Sequence, residues 1–275
     1  YGGYGSKDRY EGNAMVNRFV NNDQITFMGG ANNTNNMGFS DLASTMFSGM
    51  GGGGGRRGGF GAGSGITSSG NAGLNFSKEF KPDKLTLGGN TRYSHSDNDA
   101  RSKSDRQNIL PGDSSSYDNS EAMSRTKSDN FGVDFRLEWK PDTMTQLIFR
   151  PSFSLSHSMN DNFSDATTLD NERDTVNTNK SSNYSESNGY NLNASIDFSR
   201  KLNNKGRVFS ATLSGGNSDS YSDGMNRSDI VYFNQTDALK NSIIDQRSRY
   251  DNKGFNYRAY VSWVEPIGQD RKSVV

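Results

Sequence analysis

The chain has 275 residues, 31 basic and 31 acidic side chains, and a hydrophobic fraction of only 30%. Zero net charge provides no long-range field to recruit nucleic acid, so nucleic acid is not an expected partner. So small an apolar stock cannot fill an ordinary soluble core, and its many Phe and Tyr residues among Asn, Ser, Asp and Gly favour strands and turns over helices.

The absence of cysteine removes disulfides, thiolate metal sites and cysteine nucleophiles. No apolar run approaches the roughly 20 residues of a membrane helix, so any membrane crossing must rest on alternation within strands. No charged-then-apolar secretory segment follows Tyr1, and the chain is read as a piece of a longer one.

Taken in chain order, a short period-two pattern occurs at Ala72, Leu74 and Phe76. The cleanest one runs from Phe131 to Trp139, where Phe131, Val133, Phe135, Leu137 and Trp139 alternate with Gly132, Asp134, Arg136 and Glu138. A strand places those two sets on opposite faces. The pattern returns at Leu147, Phe149, Pro151, Phe153 and Leu155, then at Tyr190, Leu192, Ala194, Ile196 and Phe198. It closes with Phe209, Ala211 and Leu213, and with Phe255, Tyr257, Ala259, Val261 and Trp263.

Connections of two lengths alternate between these strands. Short links are expected at Asn21 to Gln24, Lys81 to Lys84, Lys140 to Met144 and Asn203 to Gly206, where Pro-Asp and Asn-Asn-Lys-Gly suit tight turns. Long loops are expected at approximately Asn35 to Ser64, Asp99 to Ser124, Phe163 to Ser182 and Asp223 to Arg247. In an up-and-down meander all short turns then fall at one end, as in outer-membrane barrels. Phe80, Trp139, Phe198 and Trp263 lie near short turns and are expected to form a membrane-interface girdle.

Phe131, Val133, Phe135, Leu137, Tyr190, Leu192, Ile196, Phe255, Tyr257 and Val261 are expected to face lipid. Asp134, Arg136, Glu138, Arg150, Asp197 and Arg258 are expected to face a wet lumen, although such charges suit a solvated sandwich face equally well. What separates the readings is whether a second layer covers the apolar face. Burial of Phe135, Ile196 and Val261 beneath helices or another sheet would overturn the envelope assignment.

The run from Gly49 to Gly65 lacks the preceding strand, following helix and Lys-Ser or Lys-Thr pair of a phosphate loop. It is read as a surface loop whose Arg56 and Arg57 contact lipopolysaccharide phosphates or a partner. His95 and His157 are read as polar strand positions, and Asp161, Asp165, Asp170, Glu172 and Asp174 as solvated loop acids without EF-hand spacing. Tyr232, Phe233, Leu239, Ile243 and Ile244 are read as an apolar cluster within a loop. No nucleophile, base and orienting acid share a local signature, so no enzyme chemistry, metal site or cofactor is expected.

The chain resembles the outer-membrane β-barrel family of TonB-dependent-receptor-like proteins of Gram-negative bacteria. The resemblance rests on YGGYGSKDRYEGN from Tyr1, NNTNN from Asn32, the GGGGGRRGG run and GGNTRYSHSDND from Gly88. It continues through RTKSDNFGVDFRLEWKPD from Arg125, IFRPSFS from Ile148, SRKLNNKGRVFS from Ser199 and GFNYRAYVSWVEPIG from Gly254. It implies an all-β fold, a transmembrane antiparallel up-and-down meander forming a partial β-barrel of about nine strands, with roughly 22 in the full-length family. Residues 1–10 are then the plug-to-barrel junction and 11–269 the partial barrel. Residues 270–275, DRKSVV, match the translation of a common sequencing adapter and are set aside as an artefact.

The implied function is uptake or surface binding of a nutrient at the outer membrane. Implied partners are outer-membrane lipid and lipopolysaccharide, a TonB-type energy transducer whose contact segment is not in this sequence, and a surface lipoprotein. The competing readings are a non-transporting adhesin or structural outer-membrane barrel, and a secreted soluble sandwich or fibre.

Overall fold

The computed structural model describes residues 1–35, 65–109, 115–204, 206–233, 241–266 and 272–274. Its strands are β1 (Gly2–Tyr4), β2 (Tyr10–Val20), β3 (Asp23–Asn32), β4 (Ile66–Lys81), β5 (Leu85–Asn108), β6 (Ser116–Trp139), β7 (Thr145–Leu169), β8 (Thr175–Lys201), β9 (Val208–Tyr232), β10 (Ser242–Pro266) and β11 (Lys272–Val274). All join one sheet in chain order, each antiparallel to the next. The protein is therefore all-β, a single up-and-down sheet that does not close, in other words a partial barrel.

Residues 1–10 contain β1, which pairs with the start of β2. At the other end β11, inside the DRKSVV segment, pairs with Val264 to Pro266 of β10.

The tight turns form where left-handed or proline-fixed residues occur. Asn21 has φ 54° in the two-residue link between β2 and β3, and Asp83 has φ 55° after Pro82. Short polar side chains tolerate that region, which a β-branched residue would not. In the link from β6 to β7, Asp142 accepts hydrogen bonds from the backbone N–H groups of Met144 and Thr145, both at 2.7 Å, and closes the turn.

Three of the long loops expected from composition are hairpin strands instead. Asp99 pairs with Arg125 and the ladder continues to Asn108 and Ser116. Phe163 pairs with Ser182, leaving only residues 170–174 as the connection. Asp223 pairs with Arg249, so Ile243 and Ile244 are strand residues and not part of a loop cluster. Asp161 and Asp165 likewise lie within β7. Ser, Asn and Asp are poor strand formers alone. Here each strand has a paired neighbour that satisfies its backbone, and that ladder overrides the local preference. The expected loop from Asn35 to Ser64, with Arg56 and Arg57, lies outside the described residues, as does Leu239.

β5 to β10 are 24 to 27 residues long. A tilted strand crosses a bilayer with about 9–11 residues. Each long strand thus has a lower, apolar-alternating part next to the short turns and an upper, Ser- and Asn-rich part about as long again.

Candidate functional site

The register sorts side chains into two faces. One row across the sheet reads Ile25, Phe76, Gly89 and Phe135, and its neighbour reads Leu87, Leu137, Phe149, Ile196, Leu213 and Ala259. Directly opposed residues share a face. All ten residues expected to face lipid therefore lie on one side, and Asp134, Arg136, Glu138, Arg150, Asp197 and Arg258 on the other.

Phe135, Ile196 and Val261 remain 42%, 39% and 64% exposed, and no described element lies over them. The buried side chains occupy the opposite face. Met28, Thr26, Asn32, Thr67, Asn75 and Asn90 all belong to the polar side, and Met28 is the single buried apolar residue among those described. Side chains crowd on the inside of a curved single layer and fan apart on its outside. Over β3 to β5 the burial pattern thus marks the polar face as concave and the apolar face as convex.

At the turn end of the convex face, Trp139 and Phe198 share one row through Leu147 and Trp263 lies in the next, while Phe80 sits at the ladder irregularity between Glu79 and Lys81. Phe209, which the sequence reading left out of this ring, links Phe198 to Trp263, with ring centroids 6.3 Å from each. Beside them Arg207 forms a forked pair with Glu265 at 2.6 to 3.1 Å, and the Trp263 indole N–H donates to the same carboxylate at 3.0 Å.

At the far end of the apolar band a second aromatic border was also missed. Tyr93, Phe131, Leu155 and Tyr190 share one row, with Tyr221 one row beyond. They line a shallow cleft of about 450 Å³ together with Asp129 and His157. The Tyr93 hydroxyl donates to Asp129 at 2.6 Å, and His95 Nδ1 meets the same carboxylate oxygen at 2.7 Å. His157 Nδ1 lies 2.7 Å from Asn188 Oδ1, so the two histidines serve different partners. Between the two borders, Phe131 to Trp139 spans about 27 Å of strand, the reach of one tilted membrane crossing.

On the concave face the charges interlock. Arg136 and Lys140 both reach Glu138, at 3.1 and 2.8 Å, and Gln146 also donates to it at 2.8 Å. Arg150 pairs with Asp197, which accepts a further bond from Thr212 at 2.8 Å. Arg92, which sequence reading did not place, pairs with Asp134 at 3.3 Å. Arg258 stands opposite Ser214. This lattice of both signs makes a polar waist at the level of the apolar band.

Above the band the concave wall loses its charge. One row reads Ser96, Ser128, Ser158, Ser187, Ser222 and Tyr250, and the next reads Asn98, Thr126, Asn160, Ser185, Gly224 and Ser248. Among the described upper strand residues of β5 to β10, only Arg106 and Asp118 put a charge on this face. Every other acidic or basic side chain there is on the convex face. The signal was present in the sequence as a period of two in charge, which hydropathy does not register.

Among the described residues there is no group of His, Asp and Glu that could hold a metal ion. No family model matches the chain, and no curated protein matches it.

Proposed function

We propose that this sheet is part of the wall of a β-barrel in the Gram-negative outer membrane, from a TonB-dependent-receptor-like protein that takes up or binds a nutrient at the cell surface. The observation that carries the membrane reading is the inverted burial: Phe135, Ile196 and Val261 are exposed on the convex side while Thr26, Asn75 and Asn90 are buried on the concave side. Hydrocarbon is the covering that makes such a face favourable, because each large apolar side chain left in water forfeits on the order of 1 kcal/mol or more. Two aromatic borders, one strand crossing apart, support the same reading.

The receptor reading rests on sequence resemblance, and the polar waist supports it as the lining of a passage. On this reading the upper hairpins meet the ligand outside the cell and an inner-membrane energy transducer drives entry. The second reading, a surface adhesin or structural barrel, draws on the long upper hairpins alone.

Tryptophan scanning with bromine-labelled lipid chains tests the membrane reading. Phe135→Trp and Ile196→Trp, made in a Trp139→Phe/Trp263→Phe background and refolded into phosphatidylcholine vesicles, are expected to be quenched, and Ser195→Trp is not. Equal quenching at all three positions, or none, would remove the reading. Energy-dependent accumulation of a nutrient by cells carrying the complete gene, lost when the transducer is deleted, separates receptor from adhesin.

A further inference from the structure

We infer that the polar face of β5 to β10 above the charged waist is the contact surface for a neutral, hydroxyl-rich ligand, an uncharged oligosaccharide. The inference rests on the reading of this face as the lining of a passage and adds the chemical class of what passes.

Composition is the first argument. From the row of Asn90 up to the row of Asn98, the polar face of these strands consists of Ser, Asn, Thr and Gly, save Tyr250 and the pair of Arg92 with Asp134. The opposite face over the same stretch carries Asp97, Lys127, Glu186, Asp223, Arg249 and Lys253, so nothing in the strands themselves excludes charge. Bulk water gives a surface no reason to drop charge and chain length together. A close occupant does, because burying an unpaired charge costs far more than burying a hydroxyl or amide that gains a hydrogen bond in exchange. An anionic or cationic ligand calls for fixed charges of the opposite sign, and Arg92 and Asp134 neutralise each other at 3.3 Å. A packed protein element calls for apolar partners, and these rows contain no aliphatic side chain. A ligand built of hydroxyls meets donors and acceptors along the whole wall.

Unused hydrogen-bonding capacity is the second argument. At the upper edge the side chains satisfy one another, Thr126 donating to Asn160 at 2.8 Å and Ser124 to Asn162 at 2.5 Å. Below them Ser96, Ser128, Ser158, Ser187 and Ser222 stand in one row on successive strands, and their hydroxyls bond to no other described residue. The strand spacing of about 4.8 Å sets these hydroxyls at a pitch close to the length of one sugar ring. Tyr250 ends the row, 64% exposed, with a ring face that suits the C–H side of a sugar. At the lower edge Asn90 is 3% exposed, and its side-chain oxygen accepts no hydrogen bond among the described residues. A buried acceptor left open is costly, and a ligand hydroxyl is the donor that a neutral wall can receive beside it.

The test uses the full chain refolded into micelles of a sugar-free zwitterionic detergent. Saturation-transfer difference NMR compares maltohexaose, cellohexaose, xylohexaose and mannohexaose with the hexamers of galacturonic acid and glucosamine, which are charged. At least one neutral hexasaccharide is expected to bind about tenfold or more tightly than either charged one. The variant Ser158→Ala/Ser187→Ala/Ser222→Ala should weaken that binding about tenfold while its β-sheet circular dichroism signal stays unchanged. Ser187→Asp, a single charge set into the row, should weaken it as well, and Arg249→Gln on the opposite face should not. No binding of any neutral hexasaccharide, a charged one bound equally well, or undiminished binding by the triple variant overturns the inference. The receptor reading falls by a different result, the failure of energy-dependent nutrient uptake in cells carrying the complete gene.

Discussion

Phe76 and Phe135 meet edge to face across Gly89, with ring centroids 6.4 Å apart and an interplanar angle of 61°. The three residues occupy one row of β4, β5 and β6, and a Cβ on Gly89 would lie 2.7 Å from Phe135 and 2.9 Å from Phe76. The missing side chain lets two rings close over the backbone and continue the apolar surface across a glycine.

Gly89→Val should force both rings aside and destabilise the sheet by about 1–3 kcal/mol. Urea unfolding in detergent micelles measures it. Adding Phe135→Ala should relieve part of the strain, so the double variant is less destabilised than the sum of the two single ones. Simple additivity would show that the rings do not compete for this space.

Ile196→Arg and Ser195→Arg place the same charge one residue apart on opposite faces of β8. On the membrane reading the first costs about 2–4 kcal/mol at mid-band, while the second joins the polar waist. Folding yield in vesicles of increasing phosphatidylcholine chain length separates the two. Equal tolerance of both would place water on each side.

The turn carboxylate of Asp142 is held below the usual aspartate range by the hydrogen bond from the Met144 backbone N–H, with Thr145 contributing, against a smaller opposing effect of desolvation. A lowered folded-state value means that its stabilisation is complete above the unfolded value and disappears as pH falls through the folded one. Asp142→Asn should therefore be less stable than the parent chain at pH 7, with the gap narrowing below about pH 4. Unfolding midpoints at a series of pH values check this; a gap constant down to pH 2 would contradict it.

Pro151 lies inside β7, and the ladder to β6 is interrupted opposite it, at Phe135 and Arg136, while its pairing with Ala194 of β8 persists. Proline has no N–H to give, so the interruption falls on the side where that donor is missing. Pro151→Ala should restore one hydrogen bond and stabilise by roughly 1 kcal/mol. A protected, slowly exchanging amide at residue 151 of the variant, where the parent has no amide hydrogen, is the expected signature.

Hydropathy alternation in the lower half of each strand was legible from the chain alone, because a strand turns successive side chains to opposite faces whatever surrounds it. Phe131 to Trp139 and Phe255 to Trp263 needed no neighbour to be read, and the Asn-Asn and Pro-Asp turns announced themselves by their backbone preferences. The upper strands were not legible in that way. Ser158, Asn160 and Asn162 look like loop residues until Ser128, Thr126 and Ser124 are seen beside them, with Asn160 and Asn162 accepting hydrogen bonds across the ladder.

Tertiary structure also decided which face is concave. Alternation says that Phe135 and Asp134 point apart, but only the curvature of the whole sheet crowds Asn90 and exposes Phe135. Pairing and curvature are properties of many strands together, set by register and by what lies alongside, and no window of a single strand contains them.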